Sequence, residues 1–104
     1  MTIVISSVKL FLGISQFMRS AKLRESVCAE VVRILRDERK RKKISMTRLA
    51  EQSGLSQSMI SLVERDLRNP TLDTLLRLTE VLEIELTEVL ARAKQSVLRP
   101  SSEN

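Results

Sequence analysis

The sequence predicts an all-α protein, and three observations support this fold class. Leu, Ile, Val, Ala, Arg, Lys and Glu dominate the chain, a mixture that favours helix. Aromatic residues make up 2% of it, and there are only two glycines and two prolines. Apolar residues recur three and four positions apart in successive segments, as in amphipathic helices. A length of 104 residues allows one domain with a modest core.

Residues 1–22 form an N-terminal extension whose structure the pattern does not decide. Ile3 to Ile5 and Val8 to Leu12 are apolar, but the stretch carries Lys9 and is shorter than the roughly 20 apolar residues of a transmembrane helix. It also lacks the basic start of a signal peptide. Three interpretations are open. The extension is a dimerising arm, a disordered leader, or upstream sequence that precedes a true start at Met18. We favour an ordered or partly ordered extension that covers helix 1.

A domain over residues 23–99 follows, and its first helix is expected from Leu23 to about Lys42. Cations gather at the end of this helix, from Arg39 to Lys43, where they suit the negative end of the helix dipole. Five apolar residues share one face of the helix and should be buried: Leu23, Val27, Val31, Ile34 and Leu35.

Two short helices joined by a tight turn are expected between Ser45 and Arg65. Ser45 and Ser56 each precede a helical pattern, and their hydroxyls can accept a hydrogen bond from a first-turn N–H. Gly54 lies between the two helices, where a positive φ turns the chain sharply. This is the spacing of a helix-turn-helix unit, whose second helix can lie in a DNA major groove. The apolar positions expected in the core are Met46, Leu49, Ala50, Leu55, Met59, Ile60 and Val63.

Two further helices and a polar tail complete the chain. Asp66 is expected in a left-handed turn, which Asp tolerates better than most residues. Thr71 should cap helix 4 and Thr87 should cap helix 5. Residues 100–104 are expected to be a disordered tail, since Pro100 ends any helix before them. The candidates for the buried face of helix 4 are Leu72, Leu75, Leu76, Leu78, Val81 and Leu82.

The residues from Ser45 to Thr71 resemble those of a known family. The pattern Ser45-Met46-x-x-Leu49-Ala50-x-x-Ser53-Gly54-Leu55-Ser56-Gln57, followed by Glu64 and by Arg68-Asn69-Pro70-Thr71, closely resembles the XRE/Cro/CI family of phage-repressor-like transcriptional regulators. The resemblance extends over about Val27 to Ala91. It implies a five-helix, lambda repressor-like DNA-binding domain. It also implies that Arg39 pairs with Glu64 in a structural ion pair. Three residues depart from the family pattern: Met46 and Leu62, where a polar side chain is usual, and Asp66, where glycine is usual.

The function implied is sequence-specific binding of double-stranded DNA, with helix 3 (residues 57–65) in the major groove. Gln57 can bond adenine N6 and N7 with both amide atoms, and Leu62 either meets a thymine methyl group or reads nothing. The residues expected to contact bases are Ser56, Gln57, Ser58, Ser61 and Leu62. Those expected to contact phosphates are Lys43, Ser45, Arg48, Arg65, Arg68 and Asn69.

The distribution of charge fits a polyanionic partner. The net charge is +5; residues 36–69 are basic, whereas residues 71–88 are acidic. One basic face and one acidic face steer a polyanion to one side only. A repressor or activator of this kind is expected to be a homodimer on a dyad-symmetric operator. Helix 5, with Val97 and Leu98 or with the N-terminal arm, is the expected dimer surface.

Composition argues against other function classes. The chain has no histidine, no carboxylate pair placed for acid–base catalysis and no phosphate-binding glycine loop. We therefore do not expect an enzyme, and we expect no cofactor, metal or small-molecule substrate. Cys28 is alone and is interpreted as a small apolar filler, with redox sensing as the alternative. A cytoplasmic, nucleoid-associated protein without membrane partners is expected. The alternative function is a protein-interaction module, or an antitoxin-like partner, with the same fold.

Overall fold

The computed structural model describes the backbone of residues 2–99 and the side chains of residues 21–99. This part of the chain contains five α-helices and no strand, which confirms the predicted fold class. The predicted tail at residues 100–104 lies outside the described residues. The helices are α1 (Thr2–Arg41), α2 (Met46–Ser53), α3 (Gln57–Glu64), α4 (Leu72–Leu82) and α5 (Leu86–Leu98).

Helix α1 is longer than the sequence predicted. It begins at Thr2 instead of Leu23, so the extension continues the helix and does not fold back over it. Its 40 residues correspond to a length of about 60 Å at 1.5 Å per residue. Helix α5, which packs most extensively against α1, has 13 residues and a length of about 20 Å. Cys28 is exposed on α1, so its interpretation as a buried filler is wrong.

The core is built from one aliphatic face of each helix. Among its largest fully buried side chains are Leu49 on α2, Ile60 on α3 and Leu82 on α4. Burying such a side chain contributes roughly 1.5–3 kcal/mol relative to leaving it in water. Helix α1 supplies the largest share of the buried cluster, with Val31, Ile34 and Leu35, and α5 closes it with Val89 and Ala93.

Two predictions for α4 are wrong. Leu72 is 65% exposed and Leu76 is 51% exposed, although both were expected on the buried face. Residues four apart share one face of a helix, and the buried row of α4 runs through Thr74, Leu78 and Leu82. Leu72 and Leu76, which are also four apart, form a separate row that faces the solvent.

The predicted cap of α5 is also wrong. Glu85 is the N-cap residue, with no side-chain hydrogen bond to the helix, and Thr87 lies inside the first turn. Helix α4 ends at Leu82, and Glu83 turns the chain at once with φ 55°. The left-handed turn at Glu83 redirects the chain within three residues, so α5 begins at Leu86, before Thr87.

The other helix starts follow the predicted capping pattern. Ser45, Ser56 and Thr71 each accept a hydrogen bond from the backbone N–H three residues ahead, at 3.1, 3.0 and 3.1 Å. Gly54 adopts φ 77° and Asp66 adopts φ 56°, so both left-handed turns are confirmed. These caps fix where α2, α3 and α4 begin, and with them the orientation of the helix-turn-helix unit.

Candidate nucleic-acid interface

Helix α3 is held in place by its apolar face. Ile60 is 1% exposed and Val63 is 2% exposed, and both point into the core. The backbone of α3 lies closest to α1 and α2, and its buried Ile60 belongs to the same core cluster as Leu78 of α4 and Val89 of α5. The helix is therefore supported from behind, and its opposite edge is free to face another molecule.

The exposed edge of α3 carries the residues predicted to read bases. Ser56, Gln57 and Ser58 are exposed, whereas Ser61 and Leu62 are half-buried. An open, shallow depression is lined by Gln57, Ser58, Ser61, Leu62 and Arg65. The structure thus brings four of the five predicted base-contact residues into one surface, with Ser56 just before it at the N-cap.

The residues predicted to contact phosphates lie at the two ends of this edge. Lys43, Ser45 and Arg48 surround the start of α2, and all three are exposed. The hydroxyl of Ser45 is already engaged, because it accepts the hydrogen bond from the backbone N–H of Arg48. Beyond the end of α3, three more exposed residues are placed: Arg65, Arg68 and Asn69.

The C-terminal end of α3 is fastened to α1 by a buried ion pair. Arg39 donates from Nε to Glu64 Oε2 at 2.6 Å and from Nη2 to Glu64 Oε1 at 2.9 Å. Its third donor, Nη1, bonds the Ile44 carbonyl at 2.8 Å, and Arg36 Nη1 bonds the Glu64 carbonyl at 3.5 Å. Both charged side chains are only 9% exposed. This network sets the angle at which α3 leaves the body of the domain.

Sequence reasoning missed Thr47, which contacts the principal candidate for base readout. Thr47 Oγ1 donates a hydrogen bond to Gln57 Oε1 at 3.2 Å, so the carboxamide oxygen of Gln57 is directed toward α2. A hydroxyl residue in the first turn of α2 lies near the first turn of α3 in a helix-turn-helix unit, but whether the two side chains meet depends on the angle between the helices.

Arg77 is a second residue that sequence reasoning missed. Its Nη1 donates to the Ser53 carbonyl at 3.0 Å, and its Nε bonds Asp73 at 2.8 Å. Arg77 therefore links α4 to the last residue of α2, directly before the turn at Gly54. A contact between residues 24 apart leaves no periodic signal in the sequence.

The described part of the chain lacks two features that would indicate other functions. Within it, no three His, Cys, Asp or Glu side chains come together in a way that could hold a metal ion. No helix in the same part is both long enough and apolar enough to cross a membrane.

Comparisons with known proteins agree with this geometry. A family model described as Helix-turn-helix matches residues 35–89, more than half of the chain. The chain is 45% identical over 58 residues to the HTH-type transcriptional regulator SlrR of Bacillus subtilis (strain 168), a match that covers 55% of this chain and 38% of SlrR. It is 37% identical over 67 residues to the uncharacterized HTH-type transcriptional regulator MT0491 of Mycobacterium tuberculosis (strain CDC 1551 / Oshkosh), covering 64% of this chain and 46% of that protein.

The matched regions are partial on both sides. The chain spans less than half the length of either relative. No solved structure matches it. The family match includes all of α2, α3 and α4, with the turn at Gly54 and the loop around Asn69. The chain therefore belongs to the XRE/Cro/CI family of helix-turn-helix transcriptional regulators.

Proposed function

We propose that this chain binds double-stranded DNA in a sequence-dependent manner and regulates transcription by binding, without catalysis. The observation that carries the proposal is the two-sided character of α3. Its apolar side is buried against α1 and α2, and its other side presents Gln57 and Ser58 beside exposed basic residues. A helix mounted in this way can enter a major groove without disturbing the core.

Affinity and specificity are assigned to different residues. The phosphate backbone is held on the two sides of the groove. One side contacts Lys43, Ser45 and Arg48, and the other contacts Arg65, Arg68 and Asn69. The basic side chains provide most of the affinity through counterion release. Gln57, Ser58 and Ser61 meet base edges, with Ser56 at the entry of the helix and Leu62 as an apolar contact to a thymine methyl group.

A homodimer on a dyad-symmetric operator completes the proposal. One helix reads only a few base pairs, so two copies on half-sites about 34 Å apart increase both affinity and selectivity. Apolar residues near the end of α5 support a surface there, since Val97 is half-buried and Leu98 is 59% exposed. A regulator of this kind acts on the chromosome, in the nucleoid of the cytoplasm.

The test is selection of bound fragments from random duplex DNA, followed by titration at two salt concentrations. We expect a selected sequence with dyad symmetry and an affinity that falls as salt rises. Gln57→Ala should relax the preference at one base position, by roughly 1–3 kcal/mol of discrimination. Arg68→Ala should instead weaken binding to all sequences alike and reduce the salt dependence by about one phosphate contact.

Matched control variants are available at exposed positions outside both the reading edge and the proposed dimer surface. Gln52 lies near the end of α2 and Arg33 lies on α1, and both are exposed. Gln52→Ala and Arg33→Ala should leave both the selected sequence and the affinity unchanged. If no sequence is selected, or if Gln57→Ala and Arg68→Ala bind like the unmodified protein, α3 is not a reading helix. The protein-interaction module is then the function that remains.

Thr47 provides a second prediction, about how Gln57 is oriented. Thr47→Val keeps the shape of the side chain but removes the hydroxyl that holds Gln57 Oε1. The carboxamide can then rotate, so we expect the base preference at the Gln57 position to weaken by about threefold, a fraction of a full bidentate contact. Thr47→Ser, which keeps the hydroxyl, should preserve the preference. Parallel fragment selection with both variants is the measurement, and an unchanged preference in Thr47→Val would rule out this role.

A further inference from the structure

An apolar groove lies between α4 and α5, away from the proposed DNA-binding surface. It is lined by Leu76, Ile84, Leu86 and Leu90, with Thr79 between them. Leu76 is 51% exposed and Leu90 is 38% exposed. A cluster of large aliphatic side chains facing water in a small domain is typical of an interaction site.

The rim of this groove is acidic. Glu80, Glu83 and Glu85 line it and are all exposed. None of these three carboxylates forms an ion pair with another side chain among residues 21–99. An anionic rim repels DNA and anionic lipid alike, so the complementary occupant is apolar and positively charged.

The chain itself contains a segment with this composition. Residues 1–24 include four cations, Lys9, Arg19, Lys22 and Arg24, and no Asp or Glu. The remaining residues are largely aliphatic, with two phenylalanines. No other stretch of this length in the sequence combines apolar side chains with positive charge alone.

The path of the backbone indicates which copy of the segment fits the groove. Helix α1 is continuous from Thr2 to Arg41, so residues 2–22 point along the helix axis and cannot return to the α4–α5 surface of the same chain. A second copy meets no such restriction. Pairing one groove directly with the groove of a second copy would instead bring Glu80, Glu83 and Glu85 close to their own counterparts, which like-charge repulsion disfavours.

We propose that the N-terminal segment of one copy, residues 2–22, docks in the α4–α5 groove of a second copy, with the exchange reciprocal in a twofold dimer. This inference rests on the proposed homodimer and assigns its interface. Lys9 and Arg19 meet the glutamate rim, and the aliphatic side chains of the segment cover Leu76 and Leu90. The exposed edge of α3 remains free, because none of its residues lines the groove.

The experiment is a charge swap between two variants of the full chain, measured by sedimentation equilibrium without DNA. The segment variant carries Lys9→Glu and Arg19→Glu, and the groove variant carries Glu80→Lys and Glu83→Lys. Either variant alone places like charges together at both contacts, so its dimer Kd should rise at least about tenfold. Mixed one to one, the two variants should form a heterodimer with an affinity close to that of the unmodified protein, because both contacts are again complementary.

The matched control is Glu51→Lys, an exposed charge reversal on α2 that should leave the dimer unchanged. Recovery in the mixture also shows that both variants are folded. The proposal is overturned if the unmodified chain is monomeric, if the segment variant dimerises normally, or if the mixture does not recover. Because no DNA is present and α3 is unaltered, a failure here is separate from a failure of fragment selection, which tests the DNA-binding proposal.

Discussion

At the scale of single residues, the buried pair Arg39–Glu64 fixes the orientation of α3. Two charges are held out of water, and the cost of removing them from solvent is offset by three hydrogen bonds from one guanidinium. Such a pair adds little net stability compared with well-packed apolar residues. Its effect is specific, because only one rotation of α3 allows both carboxylate oxygens to meet the guanidinium.

Removing one partner should therefore cost far more than removing an exposed pair. Glu64→Gln leaves the Arg39 charge buried without a counter-charge, and we expect a loss of about 3–5 kcal/mol in the free energy of unfolding. Glu88→Gln is the matched control, since Glu88 and Arg92 form an exposed pair with side chains 59% and 51% accessible. There the loss should stay below about 1 kcal/mol. Urea titration measures both, and equal losses would contradict the argument.

At the scale of helices, the connections depend on residues with positive φ. Among the residues that the structure describes, four positions adopt it: Lys43 with φ 58°, Gly54 with 77°, Asp66 with 56° and Glu83 with 55°. Only one of them is glycine, although a side chain in this conformation costs roughly 1–2 kcal/mol. The three short turns after α1, α3 and α4 are thus closed at some expense, which the packing of the helices offsets.

Substitutions at two of these turns should have opposite effects. Gly54→Ala should lower the free energy of unfolding by about 1–2 kcal/mol, because alanine is strained at this φ. The added Cβ would also approach Arg77 Nη1 at 3.1 Å. Asp66→Gly should raise the free energy of unfolding by up to about 1 kcal/mol, because glycine adopts this φ without strain. The gain is limited because glycine also increases the conformational entropy of the unfolded chain. Thermal or urea unfolding provides the comparison, and changes of the same sign would refute the reasoning.

Local signals predicted the short helices well and the long one poorly. Ser45, Ser56 and Thr71 are recognisable caps because their hydroxyls act within three residues. The start of α1 was misplaced because β-branched runs such as Ile3 to Ile5 fit a strand, a loop or a helix equally well. Leu72 and Leu76 were misjudged because the apolar pattern of α4 does not show which of its faces meets a partner.

The candidate site was only partly predictable, for a related reason. Exposure of Gln57 and Ser58 follows from their place on a helix whose other face is apolar, so the sequence was sufficient. The contact from Thr47 to Gln57 joins residues ten apart on different helices, and its existence depends on the angle between those helices. That angle is set by tertiary packing, which no local pattern records.

At the scale of the whole molecule, the packing of α5 on α1 includes a titratable contact. Ser96 Oγ donates to Glu30 Oε2 at 2.7 Å and joins residues 66 apart. A hydrogen bond from Arg33, together with the one from Ser96, holds the pKa of Glu30 below its usual range. The ionised form of Glu30 is therefore favoured in the folded protein over the unfolded chain.

This shift predicts a loss of stability in acid. A lowered pKa contributes stability that is fully present above the usual glutamate pKa of about 4.3 and is lost as the pH falls through the lowered value. Urea titrations from neutral to acidic pH should show stability falling in this window, with a shallower fall in Glu30→Gln. Ser96→Ala should be intermediate, because it removes the smaller of the two hydrogen-bond contributions. Parallel curves for all three proteins would exclude the contact as a source of the acid dependence.

The position of the outward edge of α3 outside the core also has a consequence for how such proteins diversify. Outward residues such as Gln57, Ser58 and Ser61 take no part in the buried cluster, so under the proposed function we expect their exchange to alter base preference while the scaffold stays intact. New binding preferences can then arise by a few surface replacements, each accepted without compensating changes elsewhere. A library varied at these three positions alone would sample alternative operators on one unchanged framework.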